Sequence, residues 1–74
     1  RPTVIEIKKD EANKNTLLQL RRYMKSLQKT ERRKIRGIIL CKDATPELKR
    51  LAKKEKIKIQ RFRFSIDFGD LMKD

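Results

Sequence analysis

Glu6 and Lys8 stand two residues apart in the β-branched stretch TVIEIK (3–8), and in an extended strand residues at that spacing project from one face. The carboxylate of such a pair can hold a divalent cation while the ammonium group lies near a phosphate oxygen or an attacking water. Metal-assisted phosphodiester hydrolysis requires that combination. The same tripeptide also suits a charge pair at the solvated end of a strand. Further on, Gln19 and Tyr23 are four residues apart and would lie one above the other on a helix. They border the apolar stripe Leu17, Leu20, Met24 and Leu27 and would look toward the strand bearing Glu6. Tyr23 equally fits an amphipathic border position.

The elements that must position these groups can be read in order. Residues 3–8 favour a strand. The apolar spacing of three and four from Thr16 to Gln28 predicts a helix, with Asn15 or Thr16 as its N-cap and Leu18 off the stripe. TERRK (30–34) is a charged connection, and IRGIILC (35–41) becomes apolar on both faces, the pattern of a central parallel strand. Thr45-Pro46-Glu47 combines a capping hydroxyl, a proline at the first helical position and an acid near the positive end of the helix dipole, so a short helix to about Lys54 is expected. KIKIQRFRFSIDF (56–68) alternates as a strand, but its apolar phase changes between Ile59 and Phe62, which predicts a bulge or bend near Gln60 and Arg61. GDLMKD (69–74) reads as a frayed or partner-contacting end. The expected class is α/β, with β-α-β-α-β order and a parallel or mixed sheet joined by right-handed crossovers.

Glu6-Ile7-Lys8 followed by Gln19-Leu20-Arg21-Arg22-Tyr23 resembles the E-x-K and Q-x-x-x-Y elements of the PD-(D/E)xK nuclease superfamily, in its RecB-like branch. With LLQLRRYMKSL (17–27) and RKIRGIILCKDATPELKRLAKKEKIKI (33–59), the chain is similar to the C-terminal nuclease domain of the NucS (EndoMS) endonucleases over about four fifths of its length. The resemblance implies a partial restriction-endonuclease-like core, with residues 1–74 forming a single partial nuclease domain and 69–74 its tail. It implies that Glu6 is a metal-binding carboxylate and that the Ile7 carbonyl oxygen is a further ligand. Lys8 would orient the water or stabilise charge at the scissile phosphate, and Gln19 and Tyr23 would line the site. The implied cofactor is Mg²⁺ or Mn²⁺, and the implied substrate is branched, single-stranded or mismatched DNA.

The family pattern also has an Asp on the strand preceding E-x-K, and residues 1–5 hold none. Asp10 is a poor substitute, although it shares parity with Glu6 if the strand continues. Glu6 and one carbonyl should bind a metal weakly. The chain is therefore expected to be the C-terminal portion of a longer nuclease, or a relative that has lost part of its site, and to be inactive alone.

Charge agrees with a polyanionic partner. Twenty-two Lys and Arg against ten Asp and Glu give a net charge of +12, a field that attracts nucleic acid. A Lys-rich surface kept for solubility or heat tolerance would look alike. Lys9, Arg21, Arg22 and Lys25 could neutralise backbone phosphates around the site, or form a solvated face. With no His and one Cys, neither a disulfide nor a Cys/His zinc site can form within the chain, and Cys41 reads as a small buried hydrophobe. No apolar stretch is long enough to span a bilayer, so a cytoplasmic protein without a membrane partner is expected. The leading expectation is a metal-dependent DNA endonuclease, partnered by a second copy or by the rest of a longer polypeptide. The alternatives are a non-catalytic nucleic-acid-binding module and an assembly domain using Phe62, Phe64, Ile66 and Phe68 as an exposed edge.

Overall fold

The computed structural model describes residues 2–62. Five elements follow in the expected order: β1 (Thr3–Ala12), α1 (Lys14–Gln28), β2 (Arg36–Ala44), α2 (Pro46–Lys54) and β3 (Lys58–Arg61). The strands form one parallel sheet in the order β1-β2-β3, so the apolar IIL run of β2 occupies the centre, as its composition requires.

The core lies between the sheet and the two helices. Leu17 and Leu20 of α1, Ile39 and Cys41 of β2 and Leu48 of α2 are fully buried. Gly37 sets how closely α1 approaches. A Cβ there would lie 2.6 Å from Met24 Sδ and 3.1 Å from Leu20 Cδ2, so the absence of a side chain is what admits the helix. Among the described residues the opposite sheet face is bare, with Ile5 55% and Ile7 47% exposed.

Local structure departs from the sequence expectation in four places. β1 runs on to Ala12 because a register shift between Lys8 and Glu11 lets it resume pairing with Asp43 and Ala44. α1 starts at Lys14 with Asn13 as its N-cap, not Asn15 or Thr16. Asn13 Oδ1 accepts from the Asn15 N–H at 2.9 Å, and the buried Thr16 Oγ1 accepts from the Asn13 N–H at 3.1 Å. Leu27 is 44% exposed, so the buried stripe ends at Met24. β3 pairs without interruption from Lys58 to Arg61, and the Phe62 N–H still donates to the Cys41 carbonyl at 3.0 Å. The expected bulge is therefore not at Gln60 and Arg61; the rest of that strand and the 69–74 end lie outside the described residues.

Two connections use side chains or strained backbone. Gln28 clasps the charged loop: its Nε2 donates to the carbonyls of Glu31 (2.8 Å) and Arg33 (3.1 Å), and its Oε1 accepts from the Ile35 N–H at 3.4 Å. After α2, Lys56 takes φ 59°, while the Ile57 N–H donates to Ala52 O and the Lys56 N–H to Lys53 O. This is the Schellman closure, with Lys where Gly is usual.

Candidate active site

The pairing of β1 decides where Glu6 and Lys8 point. Val4, Glu6 and Lys8 are in register with Gly37, Ile39 and Cys41, and in-register neighbours of parallel strands share a face. Gly37 lies against Leu20 and Met24 of α1, so Glu6 and Lys8 lie on the helix-covered face, where both are half-buried. The isoleucines of the alternating pattern take the bare face instead, because it is the partner strand that supplies the apolar residues under α1.

Backbone direction places the Ile7 carbonyl. The Arg36 N–H donates to the Pro2 carbonyl at 2.9 Å, and the Phe62 N–H to that of Cys41. Backbone groups alternate sides along a strand. Val4, Glu6 and Lys8 thus turn their amides and carbonyls to β2, while Ile5 and Ile7 turn theirs to the other edge of β1, which no described strand pairs.

Helix geometry brings Gln19 and Tyr23 to the same edge. Arg21 Nε lies 3.1 Å from Glu55 Oε1, which fixes the α2-facing flank of α1. With successive residues about 100° apart, Gln19 and Tyr23 fall on the opposite flank, above the unpaired edge of β1. Both are exposed, Tyr23 by 52%. By register and helix phase, Glu6, Lys8 and the Ile7 carbonyl of β1 and Gln19 and Tyr23 of α1 therefore fall on the same side of the fold, toward the unpaired edge of β1.

The remaining candidates are spread more widely. Lys9 is exposed at the β1 irregularity. Arg21, Arg22 and Lys25 line a cleft on the other side of α1. The register shift falls between Lys8 and Glu11, and Asp10 is exposed there and shares a shallow depression with Glu11 and Asp43. There Asp43 pairs with Arg61 at 3.3 Å. The ion pairs among the described residues join Arg21 to Glu55, Arg33 to Glu31 and Arg61 to Asp43. Glu6 and Lys8 take part in none of them, so the simple charge pair that E-x-K also allows is not formed.

As donors, a carboxylate and a carbonyl are the hard oxygens that Mg²⁺ or Mn²⁺ takes. They fit in kind but not in number: no group of three or more His, Cys, Asp or Glu able to hold a metal occurs among the described residues. Sequence reasoning did not anticipate Lys34 and Lys56, which join Arg21, Arg22 and Lys25 at the cleft; they come from separate connections, and no local spacing links them.

The family model of the endonuclease NucS C-terminal domain matches residues 1–72. No curated protein matches the chain. Among solved structures, a repair endonuclease from Pyrococcus abyssi superposes with a TM-score of 0.75 at 28% identity, over 81% of this chain and 26% of its own. EndoMS in its apo form gives a TM-score of 0.74 at 30% identity over 81% and 26%. EndoMS in complex with double-stranded DNA gives 0.74 and 30% over 81% and 25%. The chain thus spans about a quarter of these relatives, and its three strands and two helices form part of a restriction-endonuclease-like fold. By its sequence and its fold together, this chain belongs to the family of the NucS endonuclease C-terminal domain.

Proposed function

We propose that this chain supplies the E-x-K strand and the Q-x-x-x-Y helix of a metal-dependent DNA endonuclease. The observation that supports the reading is the register that sets Glu6 and Lys8, half-buried and without an ion pair among the described residues, on the helix-covered face at the unpaired edge of β1, the flank of α1 that carries Gln19 and Tyr23. Glu6 and the Ile7 carbonyl would hold Mg²⁺ or Mn²⁺, which when bound supplies Lewis-acid polarisation of a phosphate oxygen. Lys8 holds its ammonium group toward the same edge, where it orients the attacking water or offsets charge on the scissile phosphate. Gln19 and Tyr23 contact the nucleic-acid backbone and fix its approach. The further ligand comes from outside the described residues, on a second copy or on the rest of a longer polypeptide, so the isolated chain does not cleave. Double-stranded DNA is the substrate class favoured by the solved EndoMS complex, at mismatched, branched or single-stranded positions.

Paramagnetic broadening by Mn²⁺ of amide signals tests the site. Broadening is expected at Glu6, Ile7 and Lys8, reaching Gln19 and Tyr23, and should vanish in Glu6→Gln. Broadening centred on Asp10, Glu11 and Asp43 instead would refute the assignment. In a cleavage-competent assembly containing the chain, Glu6→Gln and Lys8→Met should each slow cleavage by about a hundredfold or more, the scale set by loss of one transition-state contact. DNA affinity should change little.

A further inference from the structure

We infer that the molecule has a second nucleic-acid contact, remote from the Glu6 border: a basic cleft between the C-terminal half of α1 and the end of α2 that holds the phosphodiester backbone of a DNA duplex. The inference extends the nuclease reading and rests on it for the identity of the polyanion.

The cleft has a volume of ≈ 790 Å³ and lies where β2 and β3 begin. From α1 come Arg21, Arg22 and Lys25. Lys34 and Arg36 enter from the loop before β2 and from its first residue, and Lys56 and Lys58 from the turn before β3 and from its first residue. All seven are exposed. Among the described residues the single carboxylate in the lining is Glu55, already paired with Arg21.

Favourable interaction with the helix C-termini accounts for a cation such as Lys25, in the last turn of α1. It does not account for Lys34, beyond that helix in the loop, or for Lys56, which accepts a left-handed backbone conformation at its position. Asp10, Glu11 and Asp43 lie at the far ends of the strands, with Lys42 and Arg61 beside them, and Glu47 in the first turn of α2. At the cleft end Glu31 and Glu55 are paired with Arg33 and Arg21, so the concave lining keeps an excess of cations. An extended polyanion is the partner that such a surface suits. Among the described residues the lining offers no aromatic ring on which an unstacked base could lie, which favours a duplex backbone over a single strand. Because Arg21 marks one flank of α1 and Tyr23 the other, a duplex held in the cleft would reach the Glu6 border only by passing across the helix or from a second copy.

The test is fluorescence anisotropy of a labelled 20-base-pair duplex, titrated with the 74-residue chain at several salt concentrations. The variant Lys25→Gln/Lys34→Gln/Lys56→Asn removes three cleft charges. The variant Lys49→Gln/Arg50→Gln/Lys53→Gln removes three from exposed positions of α2, and circular dichroism checks the fold of both. The cleft variant should bind about tenfold or more weakly, and its salt slope should shrink by roughly two to three, at about 0.9 for each lost phosphate contact. The α2 variant should stay within about threefold of the parent. Equal losses in the two variants would overturn the cleft while leaving the nuclease reading intact. A parent chain that binds no duplex would overturn the cleft alone, and cleavage that survives Glu6→Gln in a competent assembly would overturn the active-site assignment alone.

Discussion

Cys41 shows how a single residue can be read correctly before its surroundings are known. Its place at the end of an apolar run and the absence of any His marked it as packing material. It is fully buried in β2, beside Lys8 in register. Burial pushes its thiol above the ordinary range, with a small addition from Asp43 and partial opposition from Arg61 and Lys49. The unfolded thiol therefore loses its proton first as pH rises. Stability should be unaffected by this group below the ordinary thiol range and should decline as pH climbs through that range toward the raised folded value. Urea unfolding at a series of alkaline pH values, compared with Cys41→Ala, checks this: the extra downward slope should disappear in the variant. The Glu6 and Lys8 spacing was legible for a related reason, since sharing a strand face depends only on local alternation. The surroundings of Asp10 were not legible in the same way, because the shift between Lys8 and Glu11 exists only in the pairing of β1 with β2.

At the scale of elements, what was legible followed capping chemistry. Thr45-Pro46-Glu47 announced α2, and Thr45 Oγ1 does accept the Leu48 N–H at 3.2 Å. Thr45→Ala should lower unfolding free energy by about 1 kcal/mol, and Asn13→Ala by a similar amount, each measured by urea denaturation. The start of α1 was misplaced because KDEANKNT offers several capping residues within four positions. The decision falls to Thr16, whose hydroxyl returns to Asn13 only when its side chain is buried against the sheet. The end of α2 carries strain that no sequence rule would reveal. Lys56→Gly removes a Cβ from the left-handed conformation and should raise stability by about 1 kcal/mol, seen as a higher urea midpoint with an unchanged m-value. The Arg21–Glu55 pair that ties α1 to this cap is half exposed on the Arg21 side, and a surface pair of this kind adds little to stability.

For the whole molecule, the alternation of strand and helix patterns was enough to predict a parallel or mixed sheet, because short connections between such elements leave few other arrangements; the described strands are all parallel. It did not reveal which face the helices cover. The isoleucines of β1 look like core in isolation, yet the large fully buried side chains belong to β2 and the helices, and Ile5 and Ile7 stay half exposed. A chain of this size has a thin stability margin, so the fit of α1 onto the sheet carries much of the weight. Gly37 governs that fit, and its influence reaches beyond packing. Met24 and Leu20, which rest on it, sit on the same rigid rod as Gln19 and Tyr23, whereas Glu6 and Lys8 belong to the strand beneath. A methyl group at Gly37 would press on the Met24 thioether and the Leu20 methyl, and through those side chains on one end of the rod. Gly37→Ala should cost about 1–3 kcal/mol, as overpacked sites do. It should also slow cleavage in a competent assembly more than it weakens DNA binding, because tilting α1 misaligns the two halves of the site without removing any group from either.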